Sequence, residues 1–335
     1  MASEVRANCR SVALTRPLRL SRLRALAWPH PGLWGLLAAV VGLDCAWLPH
    51  SPLSLDPESV ATWVLITAGL FGAASFWTLV RPAPALRALT LSAAFLLTLT
   101  STVGVLHYLA ATLARPLVDA RLAAMEAALG FDWLRHISFL NAHAWAAAGL
   151  ALAYFASVPL TGVVVVVLSL RRNLARLRAF LALYAATLLV VVAFNAAFPA
   201  EGAYAFYAPP AALTRHLMTI GGTWHLADFE ALRTGMPVTV ALEDIKGYAT
   251  FPSFHVCLAV ITAWALRRVP VLGILAALFG AAMIVSTLGI GGHYLPDLLG
   301  GGALAGAALA VRRRGRAGLA AGEARRTAAP AVPAE

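Results

Sequence analysis

Eight apolar stretches recur along the chain, near 33–48, 60–80, 88–112, 143–169, 177–197, 253–269, 271–290 and 294–311, with charged residues gathered mainly in the connections and at the ends of the stretches. At ~1.5 Å per residue, about 20 residues cross a hydrocarbon layer of ~30 Å, so each stretch predicts a membrane-spanning helix. The first is the shortest and carries Asp44, a costly residue within a bilayer. Glycine and proline interrupt several stretches, as is common in bilayer helices. Two connections are long. In 113–142, the apolar positions Leu117, Leu122, Met125, Leu129 and Trp133 fall at near-helical spacing, with Asp119, Arg121 and Glu126 elsewhere on the wheel. This pattern predicts an amphipathic helix lying at the membrane interface. The segment 198–252 is rich in proline and glycine, and a loop of that length in a compact protein is often functional.

Composition agrees with the pattern. The 335 residues are 60% hydrophobic and only 12% charged, with a mean hydropathy of +0.77. A soluble domain carries about twice that charged fraction. The expected fold class is therefore all-α, a polytopic transmembrane helical bundle of about eight spans.

A net charge of +11 raises the question of nucleic acid, and its placement answers it. Twenty of the 26 Lys and Arg fall in alternate connections: six in 1–30, two at 81–87, four at 171–178, two at 267–268 and six in 312–335. This is the positive-inside pattern of a protein with both termini cytoplasmic, with anionic lipid as the natural contact and no nucleic-acid partner implied. The expected location is a bacterial inner membrane or an equivalent bilayer. No small-residue cleavage site follows the first apolar run, so an uncleaved first span is expected. Cys9, Cys45 and Cys257 are scattered, with no disulfide or metal spacing. The chain divides into a basic tail (1–32), two leading spans (33–85), a six-span unit (86–312) containing the long loop 198–252, and a tail (313–335) expected to be disordered from its Ala, Gly, Pro and charge.

Candidate chemistry gathers at one membrane boundary. His255 lies in Phe251-Pro252-Ser253-Phe254-His255, and His293 lies four residues before Asp297. The two apolar stretches between them cross and return, which places both imidazoles on the same side, extracytoplasmic by the charge pattern. Ser253 is a natural N-cap, and the amides of a helix start suit an anion. His293 and Asp297 are i,i+4 on one helix, so the carboxylate can fix the imidazole tautomer and leave the other nitrogen as nucleophile or base. Gly289, Gly291 and Gly292 allow backbone to approach a phosphate closely. Each piece alone also reads as a cap or a structural polar pair; it is their order, spacing and shared side that point to phosphoryl transfer.

These residues resemble the type 2 phosphatidic acid phosphatase superfamily, which includes vanadium haloperoxidases. Pro252, Ser253 and His255 match its Pro-Ser-x-His motif, and Ser286, His293 and Asp297 match its Ser-Arg-(five residues)-His-(three residues)-Asp motif. The Phe-Pro-Ser-Phe-His form, and the run Pro116 to Leu122, are most similar to the inositolphosphorylceramide synthase-like branch. The resemblance implies a six-helix core and a lipid phosphatase or phosphotransferase acting on a phospholipid or lipid phosphate, with a lipid alcohol as a second substrate in the transfer case. It implies that His293 takes the phosphoryl group as phosphohistidine, Asp297 orients it and His255 protonates the leaving oxygen. Ser253, Ser286 and the amides near Gly291 and Gly292 then meet the phosphoryl oxygens, with no metal or cofactor.

Two family features are missing. Thr287 stands where an arginine belongs, and no Lys-(six residues)-Arg-Pro motif occurs. Lys246 and Arg233, with Arg215, are the loop cations available to replace them. A transporter or an inactive lipid-binding relative is the alternative those departures favour.

Overall fold

A computed structural model describes residues 25–328. Helices α1 (Pro31–Trp47), α2 (Pro57–Ser75) and α3 (Pro84–Ala111) match the first three apolar stretches. The fourth stretch is two helices, α6 (Ala144–Phe155) and α7 (Ser157–Leu170), bent by 50° at a break. Helix α8 (Leu174–Ala197) follows, then α12 (Phe254–Leu266), α13 (Leu272–Gly289) and α14 (Leu295–Ala328). Five helices among the described residues are long and apolar enough to cross a membrane, six if the bent pair is one span. The protein is an integral membrane protein. The count falls short of eight because the fourth span is broken, α12 is short at 13 residues, and α14, with its charged residues, is not among the five.

The core is the packing of α12 among α8, α13 and α14, with α3 closing one side. Cys257, Ile261, Ala265, Phe180, Leu91 and Leu99 are fully enclosed there. Helix α14 approaches α12 at Gly301, where a Cβ would collide with the Ser253 carbonyl oxygen and lie 3.0 Å from Val256. Small residues at such contacts let bilayer helices pack backbone to backbone.

Two expectations are corrected by the tertiary structure. The connection 113–142 is not one interfacial helix but two, α4 (Asp119–Ala128) and α5 (Trp133–Ala142). Their buried face carries Asp119, Leu122, Glu126 and Trp133, while Met125 and Leu129 are exposed. Two carboxylates have displaced apolar residues because backbone amides and hydroxyls behind them need acceptors, as shown below. The tail from 313 is also not irregular: α14 continues to Ala328, consistent with the high helix propensity of its Ala and Arg residues. Residues 329–335, and the basic segment 1–24, lie outside the described residues.

The long loop 198–252 is ordered by short pieces, α9 (Ala203–Tyr207), α10 (Ile220–Thr223) and α11 (Leu226–Arg233). A strand β2 (Val238–Val240) pairs in parallel with β1 (Leu53–Leu55), which joins the two leading spans. Ser59, at the start of α2, extends this brace by bonding Glu243 and accepting from the Leu242 amide at 2.7 Å. The leading spans thus hold the loop that roofs the site.

Candidate active site

Pro252 and Ser253 end the loop, and α12 begins with Phe254. The Ser253 amide donates to the Asp297 carbonyl at 3.0 Å, which ties the start of α12 to the first turn of α14. Across that junction Ser253 Oγ lies 3.5 Å from His293 Nε2. His293 Nδ1 lies 3.2 Å from Asp297 Oδ2, and the Tyr294 amide donates to the same oxygen at 2.9 Å. Ser253 and Asp297 are fully buried and His293 is nearly so. A carboxylate oxygen can only accept, so the His293 proton sits on Nδ1 and Nε2 presents its lone pair beside Ser253. The His255 ring stands 6.4 Å from the His293 ring, centroid to centroid and nearly perpendicular. Tyr154 stacks on the other face of His255 at 4.4 Å.

His255, His293, Tyr154 and Gly291 line a cavity of about 110 Å³, closed on its remaining sides by His107, His225, Tyr248 and Thr250. An apolar cleft of about 600 Å³ adjoins it. Leu96 and Leu97 of α3, Val158 and Val165 of α7, Phe254 and His255 are among its walls. Tyr154, Gly247, Phe254 and His255 border both spaces.

Behind the histidines lies a second layer of carboxylates. Asp119 accepts from Tyr294 Oη at 2.8 Å and from the amides of Gly202 and Glu201 at 3.0 and 3.1 Å. Glu126 accepts from the Leu295 amide, the first of α14, at 2.7 Å and from Tyr207 Oη at 3.1 Å. Burial pushes the Glu126 carboxyl above its ordinary range, the Leu295 amide opposing this. An anion at a helix start complements its free amides and dipole. Gly292, at φ +65°, turns the chain here, and its carbonyl receives the Ala203 amide at 2.8 Å. A Cβ on Gly291 would sit 2.7 Å from Tyr154 and 3.1 Å from His293, so only glycine leaves room.

The structure therefore brings together His255, His293, Asp297, Ser253 and Gly291, with Gly292 at the turn. Ser286 is different: its hydroxyl donates to the Met283 carbonyl at 2.7 Å, and it does not line the cavity. Thr287 is fully buried with its hydroxyl donating to the Ile284 carbonyl of its own helix at 2.7 Å, and it does not line the cavity. Lys246 and Arg233, the expected replacement cations, do not reach the cavity either. Lys246 Nζ pairs with Asp228 at 3.0 Å, and Arg233 donates to the Arg115 carbonyl at 2.9 Å while covering Phe229. Both are held by nearer partners on the loop's own helix or its neighbour. Tyr154, Asp119 and Glu126 lie at or behind the site, and sequence patterning did not single them out for these contacts. The buried carboxylates carried the one available signal, acidic residues in a connection otherwise legible as interfacial.

The sequence model of the PAP2 superfamily matches residues 120–311, more than half of the chain, and the chain belongs to that superfamily. No curated protein and no solved structure matches it.

Proposed function

We propose that this PAP2-superfamily member is a lipid-phosphate phosphatase or phosphotransferase that works through a phosphohistidine, with its pocket on the extracytoplasmic face. The observation that carries the reading is the Ser253–His293–Asp297 contact at a cavity lined by His293 and His255 that shares wall residues with an apolar cleft. A small chamber lined by four histidines beside a cleft of about 600 Å³ suits an amphiphile, the phosphate in the first and the hydrocarbon chain in the second.

In the reaction, Nε2 of His293 attacks phosphorus and forms the N–P bond. The ester P–O bond breaks, and the departing oxygen takes a proton from His255. Asp297 offsets the positive charge that develops on the phosphorylated ring. Ser253 Oγ and the free amides at the start of α12 receive the phosphoryl oxygens, in the manner of anion sites at helix N-termini. Fixed positioning and charge supply most of such a transfer. Within the transfer branch, the second substrate is a lipid alcohol and the transferred unit a phosphate-linked headgroup such as phosphoinositol.

The test is to incubate purified protein in detergent with phosphatidic acid, an isoprenyl diphosphate or a phosphodiester lipid, with and without a lipid alcohol. Turnover in the wild type and none in His293→Ala supports the reading. Lipid binding with no turnover in either protein refutes it and favours a binding or transport role.

A further inference from the structure

The cavity has a wall that the first transfer step leaves unused. His225, just before α11, and Thr250, just before the Phe251-Pro252 pair, both line it, and each is 4% exposed. His225 Nδ1 and Thr250 Oγ1 are buried with no hydrogen-bond partner among the described residues. Such atoms are expensive to leave unpaired, so the site is built for something that pairs with them.

Their chemistry restricts what that is. His225 Nε2 lies 3.3 Å from the Glu201 carbonyl oxygen, which can only accept, so the ring proton is on Nε2. Burial pushes this imidazole down to about 4, and the ring is neutral at pH 7. Nδ1 is then a bare acceptor, which repels phosphoryl oxygens and cannot replace the missing cationic clamp. Thr250 offers an O–H donor. An unpaired acceptor and an unpaired donor on the wall of one cavity are the complement of a hydroxyl. The cavity, of about 110 Å³, has room for one phosphoryl group and a few waters.

We propose that His225 Nδ1 and Thr250 Oγ1 form the subsite for the water that hydrolyses the phosphohistidine, which makes the protein a phosphatase in preference to a transferase. The inference rests on the phosphohistidine reading above. Water has the two O–H bonds that the arrangement needs, one for His225 and one for His255, and an alcohol has one. The Thr250 hydroxyl donates to one lone pair and the other attacks phosphorus. The P–Nε2 bond of His293 breaks with its electrons returning to Nε2. The water's second proton goes to His255, replacing the one lost to the leaving group, and orthophosphate departs.

The test is rapid quench of the purified protein with ³²P-labelled dioctanoyl phosphatidic acid in detergent, following acid-labile, base-stable label on the protein and free phosphate together. His225→Phe removes the acceptor, and Thr250→Val removes the hydroxyl with little change of shape. Both are expected to label at a rate within about twofold of wild type, to release phosphate at least tenfold more slowly, and to accumulate labelled protein. His225→Asn, whose side-chain oxygen can stand where Nδ1 does, should recover part of the release rate. Labelling and release falling together, or neither changing in Thr250→Val, would overturn the subsite, as would wild-type turnover that appears only when an alcohol is added. If His225→Phe does not fold, Thr250→Val decides alone. Wild-type turnover with no labelled histidine at any time defeats the phosphohistidine reading itself, and this subsite with it.

Discussion

Replacing Asp297 by Asn isolates the charge of the buried acid from its shape. The Tyr294 amide donates to Oδ2 at 2.9 Å, and an Asn NH₂ in that place would oppose it donor to donor. The Asn oxygen therefore stays where Oδ2 is and still accepts from His293 Nδ1, keeping the productive tautomer. What disappears is the negative charge beside a ring that, in the proposed reaction, turns positive on phosphorylation. At the 3.2 Å separation and an effective dielectric constant of about 20, that attraction is about 5 kcal/mol. The neutral hydrogen bond that remains returns about 1 kcal/mol. A net loss of about 4 kcal/mol is roughly a thousandfold in the chemical step. Phosphate release from phosphatidic acid under saturating conditions measures it, with thermal unfolding as the check on folding. An Asp297→Asn protein that folds and keeps kcat within about tenfold of wild type would refute the argument that this charge drives the step.

Three further outcomes follow from the packing. Glu126→Ala leaves the Leu295 amide and the Tyr207 hydroxyl unpaired, and should cost about 3 kcal/mol; a Tm within about 2 °C of wild type in detergent would contradict this. Gly301→Val pushes α14 from α12 and lengthens the Ser253 amide contact, lowering kcat and costing about 1–3 kcal/mol. At Gly302, where a Cβ meets nothing within 4 Å, the same change is expected to be neutral, and equal loss at both sites would count against close packing as the cause. Because His225 is held near 4 against an ordinary 6.5, the unfolded chain binds its proton first as the pH falls. Stability from this group is whole above about 6.5 and drains by up to about 3 kcal/mol on the way to pH 4. Chemical denaturation across that range should show a smaller fall in His225→Phe than in wild type.

Much of the frame is legible along the chain, because membrane spans and basic connections are local signals. An apolar stretch long enough for a bilayer is helical wherever it lies, since only intrahelical bonds satisfy its backbone there. The short spacing of His293 and Asp297 likewise brings them into contact, although His293 lies in the turn before α14 and not on the helix, and Ser253 takes the N-cap position of α12 without a side-chain capping bond, its hydroxyl lying by His293 instead. The roles of Lys246 and Arg233 could not be read in that way. A cation's partner depends on which loop pieces fold near it, and Asp228 and the Arg115 carbonyl lie 18 and 118 residues away in sequence.

The inversion of 113–142 has the same origin. Glu126 is buried because Leu295, 169 residues later, starts a helix against it and needs an acceptor for its amide. His225 is buried at the cavity because the long loop folds back over it and is braced on β1. Sequence by itself determined most of the helices, though not the number that qualify as spans, and the two imidazoles that the structure brings to one cavity. Which carboxylates, carbonyls and unpaired nitrogens surround those imidazoles was decided only when distant segments met, since burial and hydrogen-bond partnership are properties of the packed chain.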